Sequence, residues 1–230
     1  ATTTIDFDGT IGATTSIGGD LSIGTNTTTA NVDLADAISV DGLISITGAN
    51  VLVGGAMSAD ANTAGNEALT ISATDAAANT LTVNNSLTTN SGAITLSAKD
   101  DVIFGAAGSL ASNNGNIGVS ADSDGSGGAI SMTSGATINS GTGTITLSAD
   151  EDIALGALTT TNPTSTAVTV TSDSGSIMQA GEFLSITGGS SFSVGDNQNI
   201  TLDASSNVFT GTVTFTTGTG SNVTVVDTTA

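Results

Sequence analysis

The chain has 230 residues, with a single Lys (Lys99), no Arg and no His against 21 Asp and Glu, for a net charge of −20. That balance repels nucleic-acid phosphates and anionic lipid headgroups, so nucleic-acid binding is excluded. There is no Cys, hence no disulfide and no thiolate metal site, and no run of about 18 apolar residues from which to build a transmembrane helix.

Most of the polar character comes from Thr, Ser, Asn and Gly, which together with Val and Ile favour strands and turns over helices. The chain starts at Ala1 rather than Met, so it reads as a processed chain or a piece of something longer. Residues 1–30 have short apolar pairs in a Thr-rich background and are expected to form an N-terminal cap or docking segment.

From residue 31 to 212 an apolar–x–apolar triplet recurs, starting at Val32, Ile44, Leu69, Leu81, Ile94, Ile117, Ile130, Ile145, Val168, Leu184 and Ile200. Successive triplets are 12 to 16 residues apart, with jumps of 23 to 25 that read as insertions or an extra side. In the clearer copies a second apolar residue follows eight positions on and a Gly eleven on: Ile94 gives Val102 and Gly105, and Ile145 gives Ile153 and Gly156. The two best copies, SGAITLSAKDDVIFGA (91–106) and TGTITLSADEDIALGA (142–157), stand 51 positions apart. Pro163 falls in an expected insertion, where it breaks no ladder. Residues 213–230 hold two further triplets, at Val213 and Val223, and read as a docking or donor segment.

Each triplet has period two, the mark of a strand with one buried face. Strands this short bury too little to stand alone, and stacking equivalent strands coil on coil solves that. The expected fold is therefore all-β, a parallel β-solenoid. Its interior is expected to hold Ile, Leu, Val and Ala, with little room for rings, since the chain has six Phe and no Trp or Tyr. Solenoid ends expose unpaired strand edges, so copies of the chain are the expected partner, by end-to-end stacking or strand donation.

The pattern G-x-I-T-L-x-A-x-x-D-I-x-L-G resembles the repeats of filamentous haemagglutinin-type adhesins and related large bacterial surface proteins. The likeness covers about residues 40–215 and is clearest at 91–106 and 142–157. It implies a long right-handed parallel β-helix, secreted and displayed outside the cell, with a cell-surface or matrix ligand as a further partner.

Catalysis has little to work with. Without His or Arg, and with one Lys, anionic intermediates lack stabilising partners. The pairs Asp100/Asp101 and Glu151/Asp152 could in principle hydrolyse glycosides, but the repeat itself accounts for them. No enzyme is expected. Calcium is the candidate cofactor: ADSDGSGGA places Asp122 and Asp124 on a Gly-rich turn, and Asp101 and Asp152, with Asp100, Asp150 and Glu151, would form a second acidic cluster if their corners stack. The competing reading is that Asp and Gly are turn residues. The triplet centres Thr70, Thr82, Thr95, Thr146, Thr169, Thr201, Thr214 and Thr224, with Ser45, Ser131 and Ser185, would stack as one hydroxyl column. The expected function is that of a non-enzymatic extracellular structural protein building a filament, sheath or surface layer. The alternatives are a segment of a giant secreted adhesin and an ice-binding solenoid.

Overall fold

The computed structural model describes residues 3–6, 18–24, 30–59, 65–74, 79–122, 125 and 127–229. Its strands form three parallel sheets with no helix among the described residues. Sheet I has ten strands, from Thr3–Asp6 to Val223–Val225. Sheet II has eight, from Ile38–Ser39 to Val208–Phe209, and sheet III has nine, from Leu21–Gly24 to Val213–Thr217. The chain visits III, I and II in turn and then returns to III one layer on. This is the expected β-solenoid.

Register fixes the turn length. Ile94 pairs with Ile117, Ile117 with Ile145 and Ile145 with Val168, so these turns take 23, 28 and 23 residues. The jumps of 23 to 25 are therefore whole turns, and the shorter intervals are steps between sheets: Leu69–Ala73 in sheet III is followed by Leu81–Val83 in sheet I. The two best sequence copies lie two turns apart, with Ile117–Ala121 between them.

Sheet III explains the ITLSA motif. In Ile145–Ala149 the residues Ile145, Leu147 and Ala149 are buried, and Thr146 and Ser148 are exposed. The third inward row is small throughout the middle of the stack (Gly48, Ala73, Ala98, Ala121, Ala149, Ser172), where the chain bends toward sheet I. The other inward rows form one continuous core with the inward residues of sheets I and II. Each fully buried Ile, Leu or Val contributes about 1.5–3 kcal/mol relative to exposure.

The core also holds rings, contrary to the sequence-based expectation. Phe104, Phe192 and Phe209 are buried. Phe192 stacks on Phe215 at 5.9 Å and meets Phe209 edge-on at 6.3 Å. Beside Phe192 the inward row carries Ser190 in register with Val168, and the smaller side chain leaves space for the ring.

Two corner devices hold the layers in register. Where sheet II turns into sheet III, buried hydroxyls donate to carbonyls three residues on: Thr89 Oγ1 to Gly92 O (2.6 Å), Ser112 Oγ to Gly115 O (2.5 Å) and Ser140 Oγ to Gly143 O (2.8 Å). The glycines stack so closely that a Cβ on Gly143 would overlap the Gly115 carbonyl, and one on Gly115 the Gly92 carbonyl. Where sheet III turns into sheet I, side-chain oxygens accept the backbone N–H of the next turn. Asn50 N–H donates to Asn31 Oδ1 (3.3 Å), Thr80 N–H to Asn50 Oδ1 (2.9 Å), and Asn222 N–H to Asn199 Oδ1 (3.0 Å).

The stack continues on both sides of 31–212. Strands Thr3–Asp6 and Leu21–Gly24 join sheets I and III, as do Val213–Thr217 and Val223–Val225. Much of the 1–30 segment expected to cap or dock lies outside the described residues.

Candidate functional site

The outer face of sheet III is the most regular surface of the molecule. Alternation turns the second and fourth residues of each strand outward, and parallel in-register pairing stacks them into two columns. One column runs from Ser22 through Thr70, Thr95 and Thr146 to Thr214. The other runs from Gly24 through Thr47, Ser97 and Ser148 to Thr216. Of the eighteen positions, sixteen are Ser or Thr, and the other two are Gly24 and Gly118. The sequence reading found one column because it stopped at the triplet centre. The missed signal was the period-two continuation from T to S in ITLSA.

Sheet I differs. The triplet centres Thr82, Thr201 and Thr224 and Ser131 lie there rather than on sheet III, and Ser185 lies on sheet II. The four on sheet I share its outward column with Asp33, Leu52, Ile103, Ala154 and Met178. An open hollow over this sheet is lined by Asn31, Asp33, Leu52 and Thr82, with one carboxylate.

The acidic candidates occupy the corner between sheets III and I. Asp101 and Asp152 share a column but stand two turns apart, with Ala129 between them. At about 4.8 Å per turn that is nearly 10 Å of separation. Both carboxylates have work in the corner ladder: Asp101 Oδ1 accepts Ala129 N–H (2.9 Å) and Asp152 Oδ1 accepts Ser176 N–H (2.7 Å). Asp150 accepts Gly127 N–H (3.0 Å) and the Ser174 hydroxyl (2.9 Å). Asp122 is half-buried on the same corner, and its Oδ1 is shielded from solvent without a hydrogen-bond donor. Asp124 lies outside the described residues. Among the described residues no three acidic side chains gather closely enough to hold a metal ion, and no helix is long and apolar enough to cross a membrane.

The coil at 213–229 is a different kind of surface. Val223 and Val225 pair with Ile200 and Leu202, which are fully buried, yet the two valines are 41% and 43% exposed. Val213 and Phe215 are only half-buried. Strands Val213–Thr217 and Val223–Val225 each have one neighbour, so a row of backbone donors and acceptors is open on sheets III and I. Over sheet II the edge is covered. Thr228 N–H donates to Asn207 O (2.9 Å), and Asp227 Oδ1 accepts Phe209 N–H (3.2 Å).

Residues 148–216, under a third of the chain, match a family described as "Repeats of unknown function (DUF5649)". The match begins at Ser148 and ends at Thr216, which occupy one outward column of sheet III through Thr171 and Ser193. The matched unit is therefore three whole turns. No curated protein and no solved structure is significantly similar to the chain.

Proposed function

We propose that this is a non-enzymatic extracellular structural protein, a β-solenoid rod that extends end to end into a filament, sheath or surface layer. The observation that carries the reading is the open coil at 213–226. It offers the apolar Val213, Phe215, Val223 and Val225 together with two unpaired strand edges. Another parallel coil laid on it would complete both the core and the ladders. A second copy bound in this head-to-tail manner generates an open filament. Asp101 and Asp152, one carboxylate from each candidate catalytic pair, are engaged in the corner ladder, which supports a structural role for them. The likeness of ITLSADEDIALG to haemagglutinin-type surface repeats supports secretion and display outside a bacterial cell.

The adhesin alternative rests on the same open coil, covered there by further turns of one longer chain. The two readings separate in the purified 230-residue chain. Lys on an edge strand blocks pairing, and Val223 and Val225 are exposed enough for a double Lys variant to fold. In sedimentation velocity the unmodified chain is expected to form concentration-dependent oligomers, and the V223K/V225K variant to stay monomeric. Identical monomeric behaviour of both would discard the homopolymer. Loss of the oligomers on adding a chelator would assign a crosslinking role to calcium at the acidic corner.

A further inference from the structure

The outer face of sheet III goes beyond what a rod requires. A rod needs its inward rows and its edges. Its outward residues are free to vary, and on sheet I they do, mixing Asp33, Leu52, Ile103 and Met178 with hydroxyls. If β-propensity alone selected Thr and Ser, both sheets would show it equally. Sheet III instead carries hydroxyls at sixteen of eighteen outward positions, with no charged and no large apolar side chain. Of the many acids in a chain with net charge −20, none stands on this face.

The pairing adds a second, geometric constraint. The register of sheet III holds over nine strands without a slip. Hydroxyls therefore repeat every ~4.8 Å along the stack and every ~6.6 Å along each strand. A surface with two fixed repeats and neutral hydroxyls at nearly every position is matched to a ligand that is itself periodic in two dimensions, uncharged and hydrogen-bonding throughout. The repeats of oxygen atoms on the faces of hexagonal ice are close to these. Eight of the sixteen hydroxyls are Thr and eight are Ser; both anchor water, and the Thr methyl groups also exclude disordered water from the gap. A charged side chain would instead keep its own hydration shell and break the lattice. We propose that the outer face of sheet III binds ice.

Gly118 gives the proposal a gain-of-function test. It interrupts the first column between Thr95 and Thr146, and a Cβ added there meets nothing within 4 Å. Gly118→Thr should fill the gap without disturbing the fold. The experiment records ice-crystal shape, thermal hysteresis and ice recrystallisation for the purified chain. Three variants accompany it: Gly118→Thr, Thr95→Tyr on sheet III, and Thr82→Tyr on sheet I as the control. Circular dichroism verifies that each is folded. The unmodified chain is expected to facet ice, Gly118→Thr to increase the hysteresis, Thr95→Tyr to lose it and Thr82→Tyr to leave it unchanged. Round ice discs without hysteresis for both the unmodified chain and Gly118→Thr would overturn the proposal, as would equal loss in the two Tyr variants. Retention on crystalline cellulose with no effect on ice would overturn it in favour of a neutral polysaccharide. The outcome is independent of end-to-end assembly, because a monomeric rod carries the same face.

Discussion

Asp152 illustrates how the solenoid uses a carboxylate as a backbone acceptor. Its Oδ1 accepts the Ser176 amide of the next turn at 2.7 Å, as Asp101 does for Ala129 and as Asn50 does for Thr80. Oxygen geometry rather than charge is what the ladder needs, since Asn serves at equivalent positions. Asp152→Asn should therefore leave thermal stability nearly unchanged, with or without a chelator, while Asp152→Ala should cost about 0.5–1.5 kcal/mol, the worth of one such hydrogen bond. Thermal melts of the two variants decide the point. A chelator-sensitive melt in the unmodified chain that Asp152→Asn abolishes would make Asp152 a calcium ligand instead. None of this was legible in the sequence. The partner of Asp152 is set by the length of the following turn, and no local motif records which residue lies one layer on.

Asp227 is the residue whose titration matters. The hydroxyl and then the amide of Thr229, followed by the amide of Phe209, hold its carboxyl below the usual aspartate value. A carboxyl lowered in the folded state contributes stability at pH above its unfolded value, about 3.9, and that contribution fades as pH falls through the lower folded value. The hydrogen bonds that hold 227–229 over the sheet II edge should accordingly be intact at neutral pH and weaken below about pH 4. The amide resonances of Phe209 and Thr229, followed by NMR through an acid titration, should shift together there. They should stay fixed in Asp227→Asn.

At the scale of the strand, the period-two alternation of the triplet was plain from the sequence, whereas the outward Ser and inward Ala that complete ITLSA came only with the five-residue strands of sheet III. What misled was the similar size of the steps. Eight residues carry the chain from Ile94 in sheet III to Val102 in sheet I, and eight also carry it from Ile130 in sheet I to Ile138 in sheet II. Steps between sheets therefore looked like one repeat, and the whole turns looked like insertions or an extra side. After Ile200 the eight-residue rule lands on Val208, which is half-exposed, while Phe209 points inward. The central strands are the ones whose loss should be felt most. Leu147 is fully buried between two complete layers, and Leu147→Ala is expected to cost about 2–5 kcal/mol. Urea unfolding would measure it. A loss much below that range would mean that the layers collapse onto the cavity and that the core is less rigid than its register implies.

For the whole molecule, nine stacked strands in sheet III make a rod of about 40 Å at ~4.8 Å per layer. Its charge of −20 discourages side-by-side contact, and less so as salt shortens the Debye length to about 10 Å at 0.1 M. The coil at 213–226 presents valines and a phenylalanine and no acid, although Asp227 lies just beyond it over the edge of sheet II. In the proposed filament, contact along the axis would meet this apolar coil, whereas side-by-side contact would meet the acids. The most direct test is electron microscopy of the purified chain over a range of concentrations. Unbranched filaments that lengthen with concentration and diffract at about 4.8 Å along their axis are expected. Discrete rods near 40 Å that never lengthen would contradict end-to-end growth.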